Sequence, residues 1–587
     1  MSVRHAFPVL ALVAMLGAQQ SAAQQASDTI APEAATGRDS AAAAGVATRH
    51  MIAAANPYAV EAGLHVLRSG GTAADALVAV QTVLGLVEPQ SSGLGGGAFL
   101  LWYDAETGAI TSFDARETAP LAATGDLFLE ADGTPMEFFD AVIGGRSVGV
   151  PGVPALLETV HQLHGSQDWP SLLDPAIALA EGGFAVSPRL SALIAGDAGR
   201  LDGEDVARGY FFGAEGAGLS EGRLLRNPDY AETLRTYQIE GAETFYSGAI
   251  AQAIVDTVTG HAENPGLLTL HDLAGYEVIE REPVCIAYRD HEVCGMGPPS
   301  SGGLTVGQIL GIASHVDLAA LGPDDPVSWR IIGDATRLAF ADRGLYIADT
   351  DRVDMPAGLL DAGYLESRAA LLRRDTALPA DEAKAGEPPW DKAELRSPGV
   401  ELERQATTHV VIVDDAGNVA SMTSSIENAF GSRLMVGGFL LNNQLTDFSF
   451  EPEAEGAPVA NRVEGGKRPR SSMAPTIILD ADGKPVHALG SPGGATIIPY
   501  VANTVIRLID WEMTMQEAVS APNLANSFGT YVLEAGTEAE ALAPDLQALG
   551  FETAIRDLNS GLHGITISPD GLTGGADPRR EGVAVGD

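Results

Sequence analysis

The stretch "RQATTHVVIVDDAGN" (404–418) sets Thr407, Thr408 and His409 at the head of an apolar run, directly after the small residue Ala406. Threonine suits a strand in any case, and His409 there needs to do no more than cap an edge. A hydroxyl is also a nucleophile, although a weak one until a base takes its proton. "NVASMTSSI" (418–426) follows the turn, so a hairpin would set Thr407 and Thr408 opposite Ser424–Ile426, within about one residue. Hydroxyls gathered at one end of two strands are expensive to bury unless they bond one another or a ligand. No Ser-His-Asp spacing and no GxSxG signature supplies a base. Cutting the bond before Thr407 would supply one. The freed α-amine has a reference pKa of about 7.7–8.0 and stands a few ångströms from Oγ1. General-base assistance of this kind is typically worth about 10²–10⁴ in rate. In the uncut chain the same nitrogen is an amide and accepts no proton. The sequence therefore predicts cleavage between Ala406 and Thr407.

Other candidate sites carry less. Gly93-Leu94-Gly95-Gly96-Gly97-Ala98 matches a dinucleotide fingerprint, with Asp114 downstream. That fingerprint needs a strand before it and a helix after it, whereas the strand-like "FLLWYD" follows here, so the match is rejected. Ser471-Ser472 and "SPGG" (491–494) read singly as turns. Two cysteines occur, Cys285 and Cys294, and a turn at Arg289-Asp290 would set them opposite one another. They form a disulfide or remain as two buried thiols; a metal site is not expected, since no further Cys or His pair accompanies them. No cofactor is indicated.

The elements that must position these residues divide the chain in two. Helical patterns run from "NPYAVEAGLHVLRSG" through "TAADALVAVQTVLGLV", with Thr72 as N-cap, and dominate 150–275 and the stretch to about 375. Residues 378–406 are rich in Pro and charge and read as a mobile loop or boundary. Beyond them "THVVIVD", "NVASMTSSI", "PTIILD" and "PVHALG" read as strands, apolar on both faces and so belonging to a sheet covered on both sides. Residues 1–23 look like a secretory signal, with Arg4 and His5 before the apolar run Phe7–Leu16, and 24–45 are expected to be disordered. The mature chain is expected to be periplasmic or secreted, with no membrane span. Its 35 basic and 78 acidic residues give a net charge of −43, which argues against nucleic-acid binding.

"TTHVVIVDDAGN", "LLNNQLTDFSF", "GKRPRSSMAPT" and "GSPGG", preceded by "GLGGGAF", "FDARETAP", "VGVPGVPALL", "GPPSSGG" and "ADRGLY", resemble the gamma-glutamyltransferase family in order and spacing. The resemblance runs from about residue 45 to "GADPRREG". It implies an α+β fold, the four-layer αββα sandwich of the N-terminal-nucleophile hydrolases. One precursor would split itself into a large subunit, 24–406, and a small one, 407–587, that stay together as a heterodimer. It further implies Thr407 as the nucleophile, Ser425 as a second hydroxyl, and the Gly493 and Gly494 amides as the oxyanion site. Arg116, Ser471 and Ser472 would hold the α-carboxylate of a γ-glutamyl substrate, with Gln444 and Asp447 on its α-ammonium.

Two departures from the family pattern stand out. Glu427 occupies a position where many members have Asn; its carboxylate could bind the ammonium or signal a relative that accepts glutaryl groups. The stretch between Asp447 and Ser471 is short and has no aromatic residue after Phe450, which predicts a more open site. The expected activity is that of a gamma-glutamyltransferase and glutathione hydrolase, passing the acyl group to water, amino acids or peptides. The alternatives are a glutaryl or cephalosporin acylase and an unprocessed γ-glutamyl-binding protein.

Overall fold

The computed structural model describes residues 35, 37, 44–390, 394–399 and 406–587. The expected signal at 1–23 lies outside the described residues, as does the expected disordered segment 24–45 apart from residues 35, 37, 44 and 45. Fourteen strands build two sheets, numbered here in chain order: β1 Gly45–Ala47, β2 Met51–Ala54, β3 Gly97–Tyr103, β4 Ile110–Ala115, β5 Ile279–Arg281, β6 Val284–Tyr288, β7 His291–Gly295, β8 Thr408–Val413, β9 Val419–Ser425, β10 Thr476–Leu479, β11 Pro485–Gly490, β12 His563–Ser568, β13 Gly571–Ala576 and β14 Val583–Gly586. One seven-stranded sheet runs β1-β13-β12-β11-β10-β7-β6, the other β14-β2-β8-β9-β3-β4-β5. Each draws strands from both sides of the 406–407 bond.

The sheets face one another across an apolar layer that includes Met51, Leu101, Val411, Ile477, Ala488 and Ile565. The outer face of the β8-containing sheet is covered by helices Pro57–Arg68, Ala73–Val87 and Val153–His164, and that of the other by Gly302–Ala313, Pro326–Tyr346 and Ile497–Ile509. The fold is a four-layer αββα sandwich. Burial on both faces explains why β8 and β9 are buried along their whole length and read as continuous apolar runs. The helix starts follow the sequence: Asn56 Oδ1 accepts the Tyr58 N–H, and Thr72 and Asp75 form a capping box.

β8 pairs with β9 in the anticipated register, Thr408 opposite Ser424 and His409 opposite Thr423. β8 also pairs with β2, so His409 lies on an interior strand and not at an edge as its polarity suggested. Its ring stacks over Gly490, where any side chain would collide with it. Burial holds the imidazole neutral, well below the usual histidine range. The Arg289-Asp290 turn sets Cys285 opposite Cys294, and the two form a disulfide. The segment 378–406 is irregular, yet its described parts are anchored: Gly386 N–H donates to Asp342 at 2.8 Å, Leu378 is buried, and Ser397 bridges to Val459. The expectation of mobility at 391–393 and 400–405 concerns residues outside those described.

Candidate active site

The open ends of β8 and β9 carry Thr407 and Ser425. Side chains alternate along a strand, so the register that pairs His409 with Thr423 puts Thr407 and Ser425 together one step further on. Their hydroxyls lie 3.0 Å apart. The Thr407 hydroxyl also rests against the carbonyl oxygen of Ala406, the residue it follows, and Ser425 Oγ lies 3.4 Å from that same oxygen. The Glu427 N–H donates to Ser425 Oγ at 2.9 Å, and Arg580 Nη1 donates to the Thr407 carbonyl at 3.1 Å. The nucleophile candidate therefore sits beside the one carbonyl group it would have to attack for self-cleavage.

Next to these hydroxyls is a small, narrow cavity lined by Arg116, Thr407, Ser425, Glu427, Gln444, Asp447, Ser471, Ser472, Met473, Gly494 and Ile497. Of the catalytic and substrate-binding candidates read from the sequence, all but Gly493 are in this lining. Gly493 and Gly494 have φ of 138° and 58°, values that favour glycine. They lead into helix Ile497–Ile509, at an end where backbone N–H groups are left over and the dipole favours negative charge.

The lining carries charge of both signs, with Arg116 and Asp447 in direct contact. Arg116 is fully buried; its Nε donates to the Pro469 carbonyl at 3.1 Å, and its Nη2 donates to the Arg470 carbonyl at 3.0 Å and to Asp447. Ser471 Oγ accepts the Met473 N–H at 3.1 Å, and Ser472 Oγ accepts from Arg343 Nη2 at 2.7 Å. Gln444 Nε2 also donates to Asp447, at 2.7 Å, and among the described residues Gln444 Oε1 has no hydrogen-bond partner. Glu427 accepts from Asn443 Nδ2 and has φ 75°, a left-handed conformation rare for a long side chain. The walls thus offer one guanidinium with two hydroxyls, and two carboxylates with an amide oxygen.

The expectation of an open site turns on the lack of an aromatic lid. In the uncut chain Thr407 is 3% exposed and Ala406 1%. No aromatic residue lines the cavity, in line with the short 447–471 segment. Sequence reasoning missed the supporting residues. Arg343, from "ADRGLY", joins Ser301 Oγ at 2.7 Å to Ser472; Asn559 steadies Arg580 at 3.1 Å; and Glu117 sits buried beside Arg116. Arg343, Glu117 and Arg580 lie within motifs, which is the available signal, but a motif does not say which partner it meets; Asn559 lies in none.

A gamma-glutamyltranspeptidase family model matches residues 59–587. The chain belongs to this family. Among its relatives is a glutathione hydrolase proenzyme of Bacillus subtilis (strain 168), 36% identical, with 91% of each chain covered. The Acylase ACY 1 proenzyme of Pseudomonas sp. (strain SE83) is 33% identical over 92% of this chain and 93% of that one. The crystal structure of cephalosporin acylase from Bacillus halodurans superposes with a TM-score of 0.82 at 25% identity, covering 93% of this chain and 97% of that chain.

Proposed function

We propose that the chain is a self-processing gamma-glutamyltransferase and glutathione hydrolase with Thr407 as its nucleophile. In the precursor, Thr407 Oγ1 adds to the Ala406 carbonyl carbon, the C–N bond breaks as the acyl group moves to oxygen, and water hydrolyses the resulting ester. The products are a new carboxylate at Ala406 and a free α-amine at Thr407, so 24–406 and 407–587 become the two subunits. That amine then takes the Oγ1 proton as Oγ1 attacks the γ-carbonyl of the donor. Backbone amides of Gly494 and Gly493 receive the oxyanion, the proton passes to the leaving amine, and the γ-glutamyl ester is resolved by water or by an acceptor amine. Loss of one oxyanion donor typically costs about 10²–10³ in rate.

The observation that carries the reading is that one small cavity is lined by a guanidinium and two carboxylates. A γ-glutamyl group ends in a zwitterion and needs a cation and an anion at fixed places. Arg116 with Ser471 and Ser472 suits the α-carboxylate, and Asp447, Gln444 Oε1 and Glu427 suit the α-ammonium. A glutaryl donor has no ammonium to match the two carboxylates, which is why the γ-glutamyl reading is preferred although one structural neighbour is a cephalosporin acylase. Initial rates on a γ-glutamyl anilide and on the matching glutaryl anilide test this. The γ-glutamyl compound is expected to have at least tenfold higher kcat/KM, the equivalent of about 1.4 kcal/mol from one charged contact; a preference for glutaryl overturns the reading. An export signal and a periplasmic or secreted site complete the proposal. Among the described residues no helix is long and apolar enough to cross a membrane.

A further inference from the structure

Glu117 has no place in the chemistry above, yet it touches the residue that receives the substrate anion. It is 0% exposed, and among the described residues neither carboxyl oxygen has a hydrogen-bond partner from another residue. Its Oε2 lies 3.8 Å from Arg116 Nη1, and that nitrogen has no hydrogen-bond partner either. Backbone closes tightly over it: a side chain on Gly97 would collide with Oε2, and one on Gly149 with its Cβ. A buried carboxyl so enclosed strongly disfavours its charged form. Arg116, Arg468 and the residue's own backbone N–H pull the other way, while Asp447 adds to the pressure for neutrality; the buried phenol of Tyr276 nearby stays neutral. Burial dominates, and the carboxyl is pushed up to about 8.

Arg116 Nη2 is already committed to Asp447 and a backbone carbonyl, so Nη1 is its remaining donor face. An arriving α-carboxylate needs that face. An ionised Glu117 would hold it by charge and repel the newcomer; a protonated Glu117 does neither. We propose that Glu117 is a positioning residue that makes capture of the donor's anionic end depend on its own proton, so that the carboxylate and a proton are taken up together. This rests on the reading of Arg116 as the α-carboxylate site.

Two measurements on the processed enzyme test it. The first is calorimetric titration with L-glutamate at pH 8 in two buffers of different ionisation enthalpy. A group half-protonated when free and fully protonated when the site is filled gives uptake of about 0.5 proton; Glu117→Gln is expected to lower that uptake to near zero. The second is KM for a γ-glutamyl anilide across pH. In the wild type it is expected to rise about fivefold from pH 8 to pH 9, since the competent fraction falls with the protonated one, and the rise is expected to be lost in Glu117→Gln. A purely structural role would change both constants at every pH and leave the profile's shape intact. A flat wild-type KM, or no proton uptake by the wild type at pH 8, overturns the proposal even if the variant does not fold; so does a rise that survives in a folded Glu117→Gln. If the wild type neither binds glutamate nor turns over the anilide, and Arg116→Lys matches it, the functional reading falls too. Binding that Arg116→Lys weakens, with flat profiles, removes only Glu117.

Discussion

Replacing Ser425 by alanine separates an orienting hydroxyl from a chemical one. Ser425 Oγ meets Thr407 Oγ1 at 3.0 Å and accepts the Glu427 N–H at 2.9 Å. The first bond holds the attacking oxygen in line, and a neutral hydrogen bond of this kind is worth about 0.5–1.5 kcal/mol. The second, once lost, leaves a buried N–H unpaired at about 1–3 kcal/mol, part of which appears as displacement of Glu427 from the cavity wall. Together they predict a slowing of about 10- to 100-fold, since each 1.4 kcal/mol is tenfold. The slowing should appear twice: in conversion of precursor to two bands on a denaturing gel, and in initial rates of the processed enzyme on a γ-glutamyl anilide. Ser425→Thr keeps the hydroxyl and should recover most of both. A loss beyond about 10⁴ would give Ser425 the proton-transfer role reserved here for the Thr407 amine. An effect under twofold on both steps would deny it any role.

Further outcomes follow from the same geometry. Thr407→Ala should remain one uncut chain without turnover, whereas Thr407→Ser should process, as a gel time course will show. Asp447→Asn should raise KM for the γ-glutamyl donor and, by leaving Arg116 buried without its carboxylate, destabilise the fold by about 3–5 kcal/mol, read from denaturant midpoints. Glu117→Gln should stabilise. Folding at pH 7 makes a carboxyl retain a proton that the unfolded chain, with its pKa of 4.5, has released, and a folded pKa of about 8 sets the cost at about 3 kcal/mol. This destabilisation is absent below pH 4.5 and grows up to pH 8, so the variant's advantage should appear in melting midpoints at pH 7 and fade at pH 4.5. Replacing Cys285 and Cys294 by serine opens a short loop, with nine residues of sequence separation, at the sheet edge; stability should fall by about 2–3 kcal/mol with γ-glutamyl turnover at 25 °C unaltered.

Much of the site could be read from residues alone because strand pairing is arithmetic. The short turn at 414–418 fixes which residues of "THVVIVD" and "NVASMTSSI" oppose one another, and the Thr407–Ser425 contact follows from a period of two. The same arithmetic paired the cysteines. What failed depends on contacts that no local pattern encodes. Arg343 reaches Ser472 across 129 residues, and Arg580 reaches Thr407 across 173. Glu117 was passed over because its neighbour Arg116 already explained the motif, and its isolation from hydrogen bonds is a property of the packed chain. The misplacement of His409 at an edge has a similar cause: an imidazole looks like a surface residue until β2 closes the other side of its strand.

A single protein chemistry experiment bears on the whole account: N-terminal sequencing of the smaller fragment in purified, active enzyme. The predicted sequence is Thr-Thr-His-Val-Val, starting at Thr407. Full activity in a preparation whose only N-terminus lies ahead of residue 406, or a fragment beginning elsewhere, would contradict the role given to the liberated amine.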